Sequence, residues 1–269
     1  EMTQALNRRS LVIVNPKAGS GAAVRRWPAC AARLRATIGA FDEWTTARPG
    51  DAAHLCARAL SEGYDRIIAV GGDGTFSETV DGWIDPAGKA RNPGAVLALI
   101  PFGTGGDFRK TLGLATLDDA LGALSVGAEL LADVGRVSYI DTAGREARRC
   151  FLNVGGFGVG GLVDDFANAT PHGLKRLLGG KLTFFAATAR AYLRYRNRRV
   201  RLSFDDGPQE ELVINHVAVA NGQYFGGGMW IAPSAATDDG AFECVAVSGG
   251  GLGFWLRHGP KLYAGKHIG

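Results

Sequence analysis

The sequence predicts an α/β N-terminal domain, a parallel sheet with helices on both faces, followed by a C-terminal all-β sandwich domain. Three observations predict it. Strand-type and helix-type segments alternate through the first half of the chain. Each of those strands runs into a glycine- or threonine-rich loop, as strands of an open α/β sheet do where they carry a site. From about Asp133 onward the pattern changes to short β-type runs separated by turn residues. The first domain is placed at 1–131 and the second at 132–269.

Taken in order, "SLVIVN" is a short β-branched apolar run of the kind a central parallel strand shows. A helix follows from about Ala22 to Ile38, then "FDEWTT", then a helix from Asp51 to Ser61. "RIIAV" is the next buried strand. It enters Gly71-Gly72-Asp73-Gly74-Thr75, and a helix follows Thr75. "AVLALIP" ends the series, with a helix near Asp118 to Leu124 after it. In the second half "DVGRVSYID", "RRCFLNVGGFG", "VRLSFDD", "ELVINHVAVAN" and "AFECVAVS" read as strands, interrupted by one helical stretch from Lys181 to Tyr195.

Composition narrows the functional classes. The 269 residues suffice for two domains with cores of their own. The net charge of +4 is too small to argue for nucleic acid, so no nucleic-acid partner is expected. Cys30, Cys56, Cys150 and Cys244 lie too far apart for a zinc spacing or a dense disulfide frame, which makes a reducing cytoplasm the default. No apolar run reaches the roughly 18 residues that spanning a bilayer needs. His54, His172, His216, His258 and His267 show no metal-binding spacing and read as structural or solvated.

The loops carry the chemistry. Gly71, Gly72 and Gly74 have no Cβ, so a bulky group can approach the backbone, and a helix N-terminus just beyond favours an anion. Phosphate is the obvious candidate. Asp73 is itself an anion in that cradle, which makes sense only against a metal, a ribose hydroxyl or an incoming proton. "NPKAGSG" after the first strand, Thr45 and Thr46 after the second and "PFGTGGDF" after the fourth converge on the same edge of the sheet. There is no Gly-x4-Gly-Lys-Ser/Thr, no dinucleotide Gly-x-Gly-x-x-Gly with its distant acid, and no Gly-x-Ser-x-Gly.

In order and spacing, "NPKAGSG", "GGDGTFSE" and "PFGTGGDF" resemble the three N-terminal motifs of the diacylglycerol kinase catalytic family, which includes bacterial diacylglycerol kinases, YegS-like lipid kinases, and sphingosine and ceramide kinases. The likeness continues through "FLNVGGFG", "VANGQYFGGGMWIAPSAATDDGAFE" and "GKHIG". The resemblance implies a nucleotide-binding first domain and a lipid-substrate sandwich, with ATP on the first and the lipid between the two. Asn15, Pro16, Lys17, Ala18 and Gly19 would lie beside the nucleotide, and Thr46 would hydrogen-bond it. Gly72, Asp73, Gly74, Thr75, Phe76, Ser77 and Glu78 would wrap the phosphates, and Thr104 would complete the cradle. Asp73 would face the polyphosphate through Mg²⁺. Glu78 either supports the metal or ribose or is an ordinary first-turn acid. Asp107 would orient the acceptor hydroxyl. Asp239, with the carbonyls of Ala236 and Ala241, resembles a structural Mg²⁺ site, and reads equally as an Asp-Asp-Gly hairpin turn.

The expected activity is transfer of the γ-phosphate of ATP to a hydroxyl of diacylglycerol, ceramide or a sphingosine-like lipid. An NAD kinase-like enzyme and a non-catalytic nucleotide- or lipid-binding regulator of the same fold are the alternatives. Two departures from the family stand out. Gly106 occupies the place where the family carries Asn. The family's late Asp-Gly-Glu, whose acid is thought to deprotonate the lipid hydroxyl, does not occur, so the sandwich is expected to be incomplete at its C-terminus and transfer to lipid to be poor. No acid occurs between Phe166 and Phe204, a stretch rich in Lys and Arg. With the lipid-kinase resemblance, that bias implies that this protein, cytoplasmic by its cysteines, is peripheral to the inner face of the membrane and held to its anionic surface. A homodimer is compatible with this reading.

Overall fold

The computed structural model describes residues 8–19, 21–102, 106–249 and 251–267, and it parts into two compact units, Glu1–Leu152 and Asn153–Gly269. The first holds β1 (Ser10–Val14), α1 (Ala22–Ile38), β2 (Asp42–Thr45), α2 (Asp51–Ser61), β3 (Arg66–Gly71), α3 (Asp73–Trp83), β4 (Val96–Pro101), α4 (Asp107–Thr111) and α5 (Leu117–Ser125). Its four strands are parallel in the order β2-β1-β3-β4. The two inner strands are buried along their whole length, which is why they read as unbroken apolar runs.

The pleat divides that apolar content between two layers. Val12, Val14, Ile68, Val70 and Ile100 face Trp27, Ala31 and Leu34 of α1 and Leu121 of α5. Leu11, Ile13 and Ile67 face Ala52, Cys56, Ala59 and Leu60 of α2, while Ala69 and Leu99 pack on Phe76 and Val80 of α3. Helices α2 and α3 cross closely at Gly82, where a Cβ would run into the Ala53 carbonyl of α2.

The first unit also contains the hairpin β5 (Gly135–Ile140) and β6 (Glu146–Phe151). The units therefore part between Leu152 and Asn153, later than the 131/132 boundary that the change in sequence pattern suggests. The reason is packing on α3. Cys150 and Leu152 are buried with Phe76, Val80 and Phe108, and Asp81 accepts from the Cys150 N–H at 2.9 Å while pairing with Arg149 at 2.9 Å.

The second unit consists of β7 (Val154–Gly158), α6 (Val159–Ala169), α7 (His172–Arg194), β8 (Arg198–Leu202), β9 (Glu210–Ile214), β10 (His216–Ala220), β11 (Tyr224–Phe225), β12 (Met229–Trp230), β13 (Glu243–Val247) and α8 (Gly251–Tyr263). An antiparallel sheet of order β13-β10-β7 and the hairpins β8-β9 and β11-β12 carry its β content. Three helices interleave with these strands where the sequence predicts one. Glycines inside α6 and at the start of α8, and Pro260 in α8, mask the helical pattern. Helix α7 begins at His172 rather than Lys181 and breaks its helical dihedrals at Gly179. The glycine run of "VGGFGVGG" has a steric cause. A Cβ at Gly160 would lie 2.8 Å from the buried His216 ring, and Gly158 has φ +116 against the Asn215 carbonyl.

Candidate functional site

All four strands of the parallel sheet end on one side, and their order places a reversal between β1 and β3. From β1 the chain crosses to β2 on one flank, then returns to β3 on the other. Such a reversal leaves a crevice outside the strand ends, the usual ligand position in an open α/β sheet. Asn15 to Gly19, Thr46, Gly72 to Glu78 and Asp107 follow those strand ends. Asn15 follows β1, donates its backbone N–H to Val70 O at 3.0 Å, and donates through Nδ2 to Thr75 Oγ1 at 2.8 Å. That second bond spans the crevice from the first loop to the first turn of α3. Asn15 Oδ1 accepts from the Lys17 N–H at 2.9 Å and folds Pro16 to Gly19 into a tight turn.

Neighbouring loops are stitched to this pair. Lys17 Nζ donates to Ala47 O at 3.3 Å, and the Thr46 N–H donates to Val14 O at 3.0 Å, which brings the buried Thr46 beside the end of β1. Ala18 is buried. Gly19 has φ +60, and a Cβ there would meet Phe102 O at 2.5 Å, so only glycine lets the first loop press against the end of β4. The Phe102 N–H in turn donates to Gly71 O at 2.8 Å. Thr104 lies outside the described residues.

Helix N-termini differ sharply across this unit. Thr116 and Asp119 form a complete capping box on α5, away from the strand ends. By contrast α1, α3 and α4 begin at Gly21, Gly72 and Gly106 with no side-chain cap from those residues. At α1 the Ala22 and Ala23 N–H groups donate to Gly19 O and Ala18 O at 3.2 Å, and at α4 the Asp107 N–H donates to Asp73, so among the described residues it is the first turn of α3 that is left for an anion. Gly74, in the first turn of α3, is exposed, and a Cβ added to it would meet no described atom within 4 Å.

Two carboxylates join at the same place. Asp73 Oδ2 accepts from the Asp107 N–H at 3.0 Å and so ties α3 to the start of α4. Asp107 is 4% exposed, and its Oδ1 lies 3.2 Å from Lys110 Nζ. Asp73 Oδ1 is buried and has no hydrogen-bond donor among the described residues. A buried carboxylate oxygen left this way is costly unless a cation or donor meets it. The donor set therefore fits a divalent cation: no three His, Cys, Asp or Glu side chains cluster for a metal among the described residues, yet Mg²⁺ ordinarily takes one or two carboxylates and completes its shell from phosphates and water.

Sequence reasoning did not reach Lys110, Asp81 or Arg149. Asp81 and Arg149 line a cleft of about 240 Å³ with Gly74, Ser77, Glu78 and Cys150. The signal for Asp81 was available, because residues 74, 77, 78 and 81 share one helical face. Arg149 comes from a strand distant in sequence and carried none. Phe76 turns inward and stacks on Phe108 at 5.4 Å between ring centroids, a packing position. In the second unit Asp239, Ala236 and Ala241 are exposed, and Asp239 Oδ1 accepts from the Ala241 N–H at 3.0 Å, the local bond of an Asp turn.

Comparison with known proteins places these residues in a family. Residues 9–137 match the family described as diacylglycerol kinase catalytic domain, and residues 154–269 match the YegS C-terminal NAD kinase beta sandwich-like domain. A Chromohalobacter salexigens protein named "Probable lipid kinase YegS-like" is 36% identical over 203 residues, covering 74% of this chain and 58% of its own length. The chain thus spans little more than half of that relative. A diacylglycerol kinase of Staphylococcus saprophyticus is 29% identical over 90% of this chain and 73% of its own. A solved Bacillus anthracis structure described as "Crystal structure of a putative diacylglycerol kinase" superposes with a TM-score of 0.70 at 28% identity, covering 95% of this chain and 81% of that one. The two matched domains together take in most of the sequence, and the chain belongs to the diacylglycerol kinase catalytic-domain family of lipid kinases.

Proposed function

We propose that the protein transfers the γ-phosphate of ATP to the hydroxyl of a membrane lipid. The observation that carries this reading is the crevice between β1 and β3. The uncapped N-terminus of α3 opens on it, and the Oδ1 of Asp73, which has no donor among the described residues, sits beside that terminus. Backbone N–H groups of the first turn of α3 hold the polyphosphate. Asn15, Lys17, Ala18, Gly19 and Thr46 bound the nucleotide on the β1–β2 side. Asn15 acts through Thr75, holding the first turn of α3 in place.

Asp73 would hold Mg²⁺ through Oδ1, and the ion would screen the polyphosphate and the charge that develops during transfer. Glu78 lies on the helical face that carries Gly74 and contributes to the same charged surface. Asp107, fixed by Lys110 and by its N–H bond to Asp73, orients the acceptor hydroxyl. In the transfer the γ-phosphorus bond to the ADP oxygen breaks, a bond to the lipid oxygen forms, and the hydroxyl proton passes to water. The protein supplies position and electrostatics rather than covalent chemistry. Diacylglycerol, ceramide and sphingosine-like lipids share the required hydroxyl, presented at the inner face of a membrane.

Calorimetric titration tests the site. Mg·ATP should bind the parent protein, lose affinity on chelation of the metal, and bind weakly to Asp73→Asn, whose side-chain oxygen still accepts from the Asp107 N–H. Metal-independent binding, equal in parent and variant, would exclude Asp73 from the metal position.

A further inference from the structure

We propose that α7 and α8 of the second unit form a docking face for an anionic bilayer, with leucine and phenylalanine side chains entering the headgroup layer and flanking cations pairing with lipid phosphates. The biological purpose of such a face rests on the lipid-kinase reading; the face itself rests on packing and charge. Helix α7 is apolar on two sides. Ala187 and Ala191 are buried against Val159 and Val163 of α6, which is ordinary core. On the other side Leu182, Phe185 and Leu193 are 59%, 50% and 72% exposed. Spacings of three and eight residues put them on a single stripe.

Helix α8 extends that stripe. The Trp255 ring lies 5.2 Å from Phe185 and 5.9 Å from Tyr192 between centroids, and Leu256 beside it is 54% exposed. Exposed apolar residues scattered singly need no explanation. Four on two helices in mutual contact make a continuous patch, and such patches mark interaction surfaces.

Charge selects the occupant. No Asp or Glu occurs between Phe166 and Phe204, nor from Cys244 to the end of the sequence, so both helices lie in acid-free segments. Exposed Arg196, Arg257, Lys261 and Lys266 come from the same two stretches. Arg190 and Arg194 cover the Phe166 ring at 4.4 and 5.5 Å, and Arg199 pairs with Glu211, so the basic character does not come from every arginine equally. Leucine and aromatic anchors bordered by Lys and Arg, without acids, are the composition of a helix that lies in a bilayer interface. No described helix is long and apolar enough to cross a membrane, so the pair lies on the surface.

Cosedimentation with vesicles tests the proposal. The parent should bind vesicles of phosphatidylcholine and phosphatidylglycerol, and bind pure phosphatidylcholine weakly. Replacing Leu182, Leu193 and Leu256 together with Gln removes exposed methyl groups only, and should weaken partitioning by about tenfold or more. Arg257→Glu with Lys261→Glu should weaken it about as much at low salt and less at high salt. Mg·ATP affinity and thermal melting should stay at parental values in both variants. Equal partitioning of parent and Gln variant, or no vesicle binding by the parent, overturns the proposal. So does a parental dimer that the Gln variant dissolves in sedimentation velocity, since the patch then belongs to a second copy. Vesicle binding that behaves as expected in a protein unable to phosphorylate any lipid sinks the kinase reading and leaves the docking face standing.

Discussion

Replacing Gly74 with alanine separates what the fold needs from what a ligand needs. Gly74 lies in the first turn of α3 with no positive φ, and a Cβ there meets no described atom within 4 Å. The fold therefore does not require glycine. Alanine is favoured over glycine in a helix by up to about 1 kcal/mol, so the variant should melt at or a few degrees above the parent temperature. Nucleotide binding should respond oppositely. A phosphate oxygen seated on backbone N–H groups at about 2.9 Å leaves no room for a methyl group on the same turn. Losing one such charge-assisted bond, about 1.5–3 kcal/mol, corresponds to a roughly ten- to hundredfold rise in Kd for Mg·ATP. Calorimetric titration and a thermal melt on the same sample read both quantities. An alanine variant that melts normally and binds Mg·ATP as the parent does would refute the seating of phosphate on α3.

Other substitutions are expected to act elsewhere. Gly82→Ala, on the same helix, should destabilise the first unit by about 1–3 kcal/mol, because its Cβ meets the Ala53 backbone of α2; a chemical denaturation midpoint equal to that of Gly74→Ala would contradict the crossing geometry. Burial lowers the His216 pKa from 6.5 to about 4. The unfolded chain thus takes the proton first as pH falls, and stability is lost between about pH 6.5 and pH 4, by roughly 2.5 kcal/mol at pH 4.5. His216→Gln should remove this part of the acid sensitivity in denaturation curves, and a variant as acid-sensitive as the parent would show that His216 is not held neutral.

Much of the first unit was legible because local and tertiary signals agree there. The buried strands β1 and β3 are unbroken apolar runs, and the glycines at or beyond their ends answer to a close approach, as at Gly19 in the loop after β1, or to a side chain that fills the space, as at Gly71, where a Cβ would lie 2.6 Å from Thr75 Cβ. The second unit was less legible. Helix α6 carries Gly160, which makes room for the His216 ring, a requirement set by a residue far along the chain. Helix α8 lacks an acidic first turn and contains Pro260. In the site, loop glycines and Asp73 announced themselves by type and spacing. Arg149 did not, since its pair with Asp81 joins a strand and a helix far apart in sequence, and Lys110, three residues past Asp107, carried a local spacing but no sign that Asp107 would be buried.

Transfer of labelled γ-phosphate from ATP into chloroform-extractable product is the most direct test of the central claim. The protein would be assayed with diacylglycerol, ceramide and sphingosine in mixed micelles and with NAD as an aqueous acceptor, beside Asp73→Asn at matched ATP occupancy. Label should enter at least one lipid, require Mg²⁺, fall by about two orders of magnitude or more in Asp73→Asn, and be absent from NAD. Label confined to NAD, or lipid phosphorylation undiminished in Asp73→Asn, would contradict the account.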